Sequence, residues 1–453
     1  MNPVRPSALL LIVLSVGTPL FRAEENVVLP ERLLPELDRI LQDAVQQSPA
    51  MLLRNLDLEA ARGDEMQAKS GKYPSAGGYL SYSESRETRE DHPEPFNTAI
   101  LNYSFSLSQP VWRWGTVSNN ARIGEIRRQI AGHQYREAFR GLARQIRGAY
   151  LDLIVRKDAA DQAAFALKMA EDTLRTAEDR LAKGASSGGE VFQVQMAAQQ
   201  ARLASDRAAE DLNQALISFR HLTGRTAFDV GQVPAAIPLI SGGDDVPPRL
   251  LADFLSQKEP GNLDTVILRK QLEVETLNLA VQRKRLYPMV NLTAGISQNR
   301  QNYSLTNTQL YRVEDRYVGM TLNWSVFDGF ATRGAVISSL ARKRQLEARY
   351  HELTQNLAED AQRQAKLTEF ALRQMRINDR WFDDRGNLLR SREEDFKRGT
   401  ASEADLNGAR FLYNQAEITA LSARAAYLMQ VCDFLGVIME DPVLDQVKAG
   451  KYE

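Results

Sequence analysis

The chain has 453 residues, with 57 Lys or Arg against 58 Asp or Glu, so its formal net charge is −1. Because charges of both signs are interspersed along the chain, the composition does not point to a nucleic acid or to an anionic surface as partner. The single cysteine, Cys432, excludes a disulfide framework and a cysteine-based metal site. It lies in an apolar run and is predicted to be a small buried side chain.

Residues 1–23 are predicted to be a secretory signal peptide. Arg5 precedes an apolar run from Ala8 to Gly17, which is too short to span a bilayer. Ala23 and Gly17 are competing positions for the cleavage site. No later segment offers the continuous apolar stretch of about 18 residues that a transmembrane helix requires. The sequence therefore predicts that any contact with a membrane is made by strands.

Two halves of the chain share landmarks at a nearly constant offset. The recurring pairs are Tyr73-Pro74 with Tyr287-Pro288, Val111-Trp112 with Val326-Phe327, and Lys183-Gly184 with Arg398-Gly399. The first pair is shifted by 287 − 73 = 214 residues and the others by 326 − 111 = 215 and 398 − 183 = 215. These offsets predict two structural repeats, 24–224 and 263–440. A connector rich in Pro and Gly, 225–262, lies between them, and a tail, 441–453, follows.

Each repeat is predicted to contain two strands joined by a polar loop. The predicted strands are about 75–86 and 98–110 in the first repeat, and about 289–298 and 316–327 in the second. Apolar side chains alternate with Ser, Thr, Asn or Gly, as in a strand with one apolar face. In the two clearest strands the apolar positions are Leu101, Tyr103, Phe105 and Leu107, and then Val318, Met320, Leu322, Trp324 and Val326.

Strands of about ten residues with one apolar and one uncharged polar face are typical of a transmembrane barrel. The alternative is half of a soluble sandwich, in which the apolar face would be core. Four strands cannot close a barrel, and open strand edges are not tolerated in lipid. The chain is therefore expected to assemble. Two copies would give eight strands and a lumen filled by side chains, whereas three would give twelve strands and an open lumen.

Each repeat is also predicted to contain a long helical hairpin, 115–224 in the first and 330–438 in the second. From Gly115 to Lys183 there are 69 residues without proline (183 − 115 + 1), which as one straight helix would extend about 100 Å. An apolar seam from Phe139 to Leu181 steps alternately by three and four residues, with Arg156 as its polar exception. This is coiled-coil spacing. A periplasmic structural coiled coil is thus a second hypothesis, although it leaves the strands and the signal unexplained.

Four short motifs make the chain resemble the TolC-like outer-membrane efflux protein family, over almost all of its length from Leu33 to Met439. Tyr-Pro before a strand occurs twice, and Arg180-Leu181-Ala182-Lys183-Gly184 fits the Arg-Leu-x-x-Gly turn of that family. The strand ends Ser108-Gln109-Pro110-Val111-Trp112 and Val326-Phe327-Asp328-Gly329 match its strand ends. The motifs occur in the family's order and are duplicated.

The resemblance implies a mainly α fold with a small transmembrane β part. It implies a homotrimer with a twelve-stranded β-barrel in the outer membrane, continued by a twelve-helix tunnel in the periplasm. Its function would be the exit channel of a tripartite efflux pump, with a periplasmic adaptor protein and an inner-membrane transporter as partners. The exit duct of a type I protein-secretion system is the alternative use of the same channel.

The resemblance also implies roles for residues in the two hairpin turns. The turns would dock the adaptor through Arg180, Leu181, Gly184, Ser187, Arg398, Gly399 and Ser402. Asp405 matches one of two aspartates that line the family's entrance ring, and Gly408 stands at the second position. Glu403 and Glu190 are the other candidates for this periplasmic gate. Asp405 as an ordinary helix-capping residue is the competing interpretation.

No pattern for an active site, a cofactor or a metal ion is found in the sequence. The four histidines, His92, His133, His221 and His351, lie in different segments without ligand spacing. No Ser-His-Asp constellation or phosphate-binding loop is present. We therefore expect a passive conduit with no catalytic residues, no cofactor and no metal site.

Overall fold

The protein is described here from a computed structural model. The described residues are 27–89, 92–241, 246–257, 262–302 and 310–447. The predicted signal peptide, 1–23, and the last part of the predicted tail lie outside them. Within these residues the chain is mostly helical with one four-stranded sheet, so the predicted fold class is confirmed at this level.

Nine α-helices and four strands follow one another along the described chain. The helices are α1 Pro30–Leu33, α2 Pro35–Gln47, α3 Pro49–Ser70, α4 Thr116–Ala182, α5 Gly188–Thr223, α6 Val246–Ser256, α7 Leu263–Arg283, α8 Ala331–Lys397 and α9 Glu403–Ile438. The strands are β1 Ser75–Arg89, β2 His92–Trp112, β3 Met289–Asn302 and β4 Leu310–Asn323. Each half of the chain thus supplies two strands and then a hairpin of two long helices.

The four strands form one antiparallel sheet in the order β1-β2-β3-β4. The register places Phe105 of β2 opposite Gly78 on one side and Ile296 on the other. Leu292 of β3 likewise pairs with Met320 of β4. Because paired residues share a face of the sheet, this register collects the apolar positions of all four strands on one face.

The apolar face of the sheet is exposed in the single chain. Its large exposed members are Leu80, Tyr82, Leu101, Phe105, Leu107, Leu292, Ile296, Val318, Met320 and Leu322. Val318 keeps 81% of its surface accessible and Met320 keeps 68%. The opposite face carries Ser, Thr, Asn and Gly, for example in the cross-strand pair Asn291 and Thr321. Within the described residues, no element of the chain covers the apolar face, as a sandwich core would require.

The strands differ from their predicted bounds at both ends. β2 begins at His92, not near 98, and β4 runs from Leu310 only to Asn323, not to 327. The first extension was missed because the segment 92–97 reads His-Pro-Glu-Pro-Phe-Asn, in which two prolines interrupt the alternation that predicts a strand. At the other end the prediction was wrong because Trp324 and Val326 continue the apolar pattern after the backbone has left the ladder.

The two hairpins match in size. α4 and α8 have 67 residues each, and α5 and α9 have 36 each. A helix of that length extends about 100 Å, as predicted. Along α4 the predicted seam is buried at Phe139, Ile146 and Leu153, whereas beyond Arg156 only Ala177 of the seam is buried. Towards the tip each helix has fewer packed neighbours, so the seam cannot be enclosed.

The helices are arranged side by side, in the same order as the strands. Near the tips, the order of adjacent helices across the chain is α5, α4, α9, α8. Nearer the sheet, the order is α3, α4, α7, α8. One lateral edge of the chain is therefore formed by β1, α3 and α5, and the other by β4 and α8. Exposed apolar side chains mark these edges: Leu52, Leu53 and Leu56 on α3, Phe192, Met196 and Leu203 on α5, and Leu367, Phe370 and Ile377 on α8.

The main core lies at the middle of the long helices. The connector contributes Phe228, Val233 and Ile237 to it, each at most 2% exposed, and the tail contributes Val443 and Leu444. Within the connector, α6 packs against α8. Cys432 is buried in the neighbouring cluster, as predicted, and burial raises the pKa of its thiol.

Among the described residues, one helix is long and apolar enough to cross a membrane by those two criteria alone. It is α9, and half of its most apolar stretch is buried inside the structure. Tyr427, Leu428, Val431 and Leu435 supply much of this burial. α9 is therefore the central core helix of its half.

A buried ion cluster joins the two ends of the chain to the middle of α4. The guanidinium of Arg147 is fully buried and donates to Asp441 Oδ2 at 2.7 Å and Oδ1 at 3.0 Å. It also donates to both carboxylate oxygens of Glu31 on α1, at 3.0 Å for Oε2. Asp441 also accepts from the Val443 amide and so caps the short 3-10 helix Pro442–Gln446. Every nitrogen of the guanidinium and every oxygen of the two carboxylates has a hydrogen-bond partner. Buried charges are tolerated when they are paired in this way.

We predict that Arg147→Ala lowers the free energy of unfolding by about 3–5 kcal/mol, because two carboxylates would be left buried without their counter-ion. Arg144→Ala is the matched control on the same helix. Arg144 pairs with Asp433, but its side chain is 59% exposed, and such pairs contribute about 0–1 kcal/mol. Urea unfolding of both variants measures the difference. Equal losses would show that the cluster contributes no more than a surface pair.

Candidate functional site at the tips of the helical hairpins

The first tip joins α4 to α5 through a turn that requires glycine. Gly184 has φ +71°, a left-handed conformation that side chains with Cβ rarely adopt. Its amide donates to Leu181 O at 2.9 Å, and the Ala185 amide donates to Arg180 O at 2.8 Å. These two bonds satisfy carbonyls that the end of α4 leaves free, in the pattern of a Schellman motif. Arg180, Leu181 and Gly184 are therefore brought together by the backbone.

Ser187 begins the returning helix as its N-cap. Its hydroxyl accepts from the Glu190 amide at 3.2 Å, and Ser186 donates to the Glu190 carboxylate at 2.8 Å. The carboxylate also lies in the first turn of α5, where a negative charge is favoured by the helix dipole. Glu190 is thus held against the turn and remains exposed.

The second tip repeats this geometry between α8 and α9. Gly399 has φ +75° and donates to Phe396 O at 3.0 Å, while the Thr400 amide donates to Asp395 O at 2.9 Å. Arg398 pairs with Glu394 at 3.0 Å, one turn earlier on the same helix. No heavy atom outside the immediate backbone lies within 4 Å of a Cβ placed on Gly184 or Gly399. Both glycines are required by their backbone angles and not by lack of space.

Asp405 forms a capping box with Ser402. Its Oδ2 accepts from the Ser402 amide at 3.1 Å and from the hydroxyl at 2.6 Å, and its own amide donates to Ser402 Oγ at 3.1 Å. The hydroxyl bond, the amide bond and the charge of Arg392 together hold the pKa of Asp405 below its usual value. The capping interpretation weighed from the sequence is therefore what the single chain shows. Glu403 lies in the same first turn and is exposed.

The structure adds residues that the turn motifs did not single out. Ser186 holds Glu190, and the Thr400 hydroxyl donates to Asp395 O at 3.0 Å. Arg410 of α9 reaches Glu393 of α8 at 3.8 Å, across the second hairpin. The Ser-x-x-Asp spacing of Ser402 and Asp405 was a readable signal for the capping box. The other contacts depend on which helix faces meet, so no short sequence pattern predicts them.

Further from the tips, acidic residues meet between α4 and α9. Burial, and then the charges of Glu417 and Asp161, raise the pKa of Asp158 to about 7. Gln162 donates to its carboxylate at 2.8 Å. Burial also raises the pKa of Glu417 on α9. Near neutral pH a proton on Asp158 therefore relieves repulsion where the two halves of the chain touch.

Among the described residues, no group of three or more His, Cys, Asp or Glu side chains is placed to hold a metal ion. The polar chemistry of the tips consists of helix caps, glycine turns and surface ion pairs. Such sites can present a shaped, charged surface to a partner or to a passing solute.

Comparison with known proteins gives one family and a set of similar structures. The family model described as "Outer membrane efflux protein" matches residues 40–225 and 266–432. Protein CyaE of Bordetella pertussis is 23% identical over 311 residues, which are 67% of this chain and 63% of CyaE. The chain thus spans less than two thirds of that relative.

Similar solved structures cover nearly the whole chain. The CmeC outer membrane channel of Campylobacter jejuni has a TM-score of 0.70 at 14% identity, covering 99% of this chain and 98% of CmeC. The outer membrane protein VceC of Vibrio cholerae has a TM-score of 0.65 at 16% identity, covering 90% and 97%. The open state of the MtrE outer membrane channel of Neisseria gonorrhoeae has 0.62 at 17%, covering 89% of each. At these identities the likeness establishes the fold.

Proposed function

Because the chain belongs to the outer membrane efflux protein family and is therefore a protein of the outer membrane, we propose that it is the exit channel of a tripartite efflux pump. It is a passive conduit from the periplasm to the outside and carries out no catalysis. The observation that carries this proposal is the exposed apolar face of the sheet, backed by a polar face. Lipid on one side and water on the other are the surroundings that such a sheet requires.

Closure of the sheet supports a homotrimer. The free edges of β1 and β4 would leave backbone groups unpaired in lipid, where each costs several kcal/mol. Three copies supply twelve strands, which leave an open lumen, whereas eight strands enclose only side chains. The contact between neighbouring copies would continue along the helices. It would join the exposed apolar residues of α3 and α5 on one edge to those of α8 on the other. Twelve long helices would thus form the periplasmic tunnel.

The two tips are proposed to dock a periplasmic adaptor protein, which links the channel to an inner-membrane transporter. Arg180, Leu181, Gly184 and Ser187 form the first turn, and Arg398, Gly399 and Ser402 form the second. Both turns are exposed and lie about 100 Å along the helices from the sheet. Only a partner in the periplasm can reach that distance from the outer membrane.

The periplasmic gate is proposed to be lined by Asp405, with Glu403 and Glu190 as the other candidates. An aspartate is ionised at neutral pH, and the capping box lowers the pKa of Asp405 further in the single chain. Three such carboxylates around one axis would repel one another and attract cations, because a narrow entrance screens charge less than bulk water does. Gly408 has no side chain to add a second acidic layer.

The division of the chain into two repeats, 24–224 and 263–440, with a connector and a tail, belongs to the same proposal. The paired lengths of the long helices and the paired glycine turns support it. The exit duct of a type I protein-secretion system is the second candidate function, since the same conduit would serve a protein cargo. A periplasmic structural coiled coil would have no use for the exposed apolar sheet.

We predict that Met320→Arg lowers the stability of the protein folded in lipid vesicles by about 2–4 kcal/mol, because the charge would face hydrocarbon. Thr321→Arg, at the next position on the opposite face, should cost much less. Unfolding by urea from vesicles of identical composition compares the two variants. Similar losses for both would mean that the sheet does not separate lipid from water.

We predict that Gly399→Val abolishes export while the trimer stays in the outer membrane, because a β-branched residue cannot adopt the turn without strain. Gly334→Val is the matched control, since Gly334 has equally open surroundings but lies within α8. Export is measured with a cargo that the wild-type channel removes from cells, and crosslinking in membranes should give a ladder ending at three. A crosslinking ladder that stops before three in the Gly399 variant would assign this glycine to folding.

We predict that Asp405→Asn reduces cation preference and weakens block by multivalent cations in single-channel recordings. Asparagine keeps a side-chain oxygen for Ser402, so the cap is disturbed little. Glu403→Gln, in the same turn, tests the second candidate for the gate by the same recordings. Unchanged selectivity in Asp405→Asn would leave Asp405 as a cap and move the gate to Glu403 or Glu190.

A further inference from the structure

A cation lies across the base of the polar face of the sheet. Arg113 directly follows β2, and its guanidinium donates to Asn291 Oδ1 at 3.0 Å and contacts Met289 Sδ. Asn291 pairs with Thr321 on the polar face, and Met289, two positions away on β3, shares that face. The Arg113 side chain therefore lies on the polar face and not on the apolar one.

The rest of the polar face is almost free of charge. Where all four strands are paired, its positions hold mainly Ser, Thr, Asn and Gly, and its one charged member among the described residues is Asp315. Asp315 lies eight residues along β4 from Asn323, the last paired residue at the base. At about 3.4 Å per residue the two positions are about 27 Å apart. Asp315 is thus too far away to neutralise Arg113.

The positive charge at the base has neutral partners. Arg113 is half-buried, and its Nε is buried without a protein partner. Lys284, also half-buried, donates to Trp114 O at 2.7 Å. In the part of the chain that the structure describes, neither cation is paired with a carboxylate. Charges withdrawn from water are normally paired, so this guanidinium is able to take an anion from outside the chain.

The turn after the strand does not itself require a cation. Position 113 corresponds to Asp328 in the second half, at an offset of 328 − 113 = 215 residues. Asp328 accepts from the amide and the hydroxyl of Thr332, at 2.9 and 2.6 Å, and so caps α8. α4 has no such side-chain cap. The two halves therefore make the same junction with opposite charges, and Arg113 is not explained by the geometry of the turn.

We propose that Arg113 of each copy contributes to a basic ring at the lower mouth of the barrel, which binds anionic groups of solutes that pass through the lumen. The inference rests on the proposed trimeric channel, because the polar face encloses a lumen in that assembly. Rings of Arg or Lys are a means by which pores attract anions. The guanidinium fits carboxylate and phosphate groups, so the class of cargo is a solute that carries one of them.

The basic ring and the proposed acidic gate at Asp405 act separately. α4 separates Arg113 from the first hairpin tip by 67 residues, or about 100 Å. Charges in water are screened over about 8 Å at physiological ionic strength. A change of charge at one end of the conduit therefore leaves the field at the other end unaltered.

Ion selectivity in planar bilayers tests the placement of the ring. Under a potassium chloride gradient, Arg113→Gln should shift the reversal potential towards that of potassium, and Arg113→Lys should keep the wild-type value. Arg316→Gln is the matched control from the same sheet. Arg316 pairs with Glu314 and lies opposite Ile296 on the apolar face, with 75% of its side chain exposed. Equal shifts for the two Gln variants would overturn the placement of Arg113 in the lumen.

Block by an organic anion tests binding. Citrate added on the barrel side should reduce the wild-type current, and several-fold more citrate should be needed for Arg113→Gln but not for Arg316→Gln. A wild-type current that citrate leaves unchanged would overturn the proposal, even if Arg113→Gln failed to fold. A shifted reversal potential with unchanged citrate block would also overturn it, because the ring would then act on small ions alone.

The same recordings separate failure of the ring from failure of the channel. If the wild type conducts and Arg113→Gln matches it in selectivity and in citrate block, the ring is rejected and the exit channel is retained. If wild-type protein inserted in the bilayer forms no conducting pore, the channel is rejected and the ring with it.

Discussion

An antiparallel sheet with two free edges cannot remain alone in hydrocarbon, because each unpaired backbone group there costs several kcal/mol. The helices are subject to the same constraint as the sheet, because both share their lateral edges. Every strand leads into or out of a long helix, so the edges of the sheet continue as the edges of the helical layer. The same lateral surfaces therefore carry backbone groups at one end and exposed apolar side chains at the other. Both features lie on the surfaces through which the proposed trimer would assemble.

The layout also explains why burial is uneven along the helices. Near the middle, α4 is surrounded by α3, α5, α7 and α9 and by the connector and tail, so its apolar residues are enclosed. Towards the tips the neighbours are reduced to the hairpin partner and one helix of the other half. Stability is thus concentrated at the middle, and the tips are free to present turns whose conformation is set locally by glycine and by helix caps.

Much of this architecture can be predicted from the sequence because it rests on periodic patterns. The alternation from Leu101 to Leu107 predicted a strand with one apolar face, and the seam around Ile146 predicted a long helix. The turns at Gly184 and Gly399 were predictable because left-handed backbone favours glycine. These signals are local, and the structure retains each of them.

Other features depend on contacts between distant segments, which leave no local pattern. Arg147 lies in a helix whose surface is rich in arginine, and nothing in its neighbourhood distinguishes a buried guanidinium from an exposed one such as Arg144. The end of β4 was misplaced because Trp324 continues the apolar alternation while its indole donates to the carbonyl of Leu286, in the turn between α7 and β3. At the tips, the capping role of Asp405 was readable from its spacing, whereas the contact between Ser186 and Glu190 required the orientation of the turn.

The Arg147 cluster has a consequence for the order in which the chain can fold. The two carboxylates that share the Arg147 guanidinium, Glu31 and Asp441, lie 441 − 31 = 410 positions apart in the sequence. Until both segments pack against α4, the guanidinium lacks half of its counter-charge, and its burial is unfavourable. The core around Arg147 is therefore expected to close only after both distant segments have packed against α4. Removing either carboxylate would leave the buried guanidinium with half of its counter-charge.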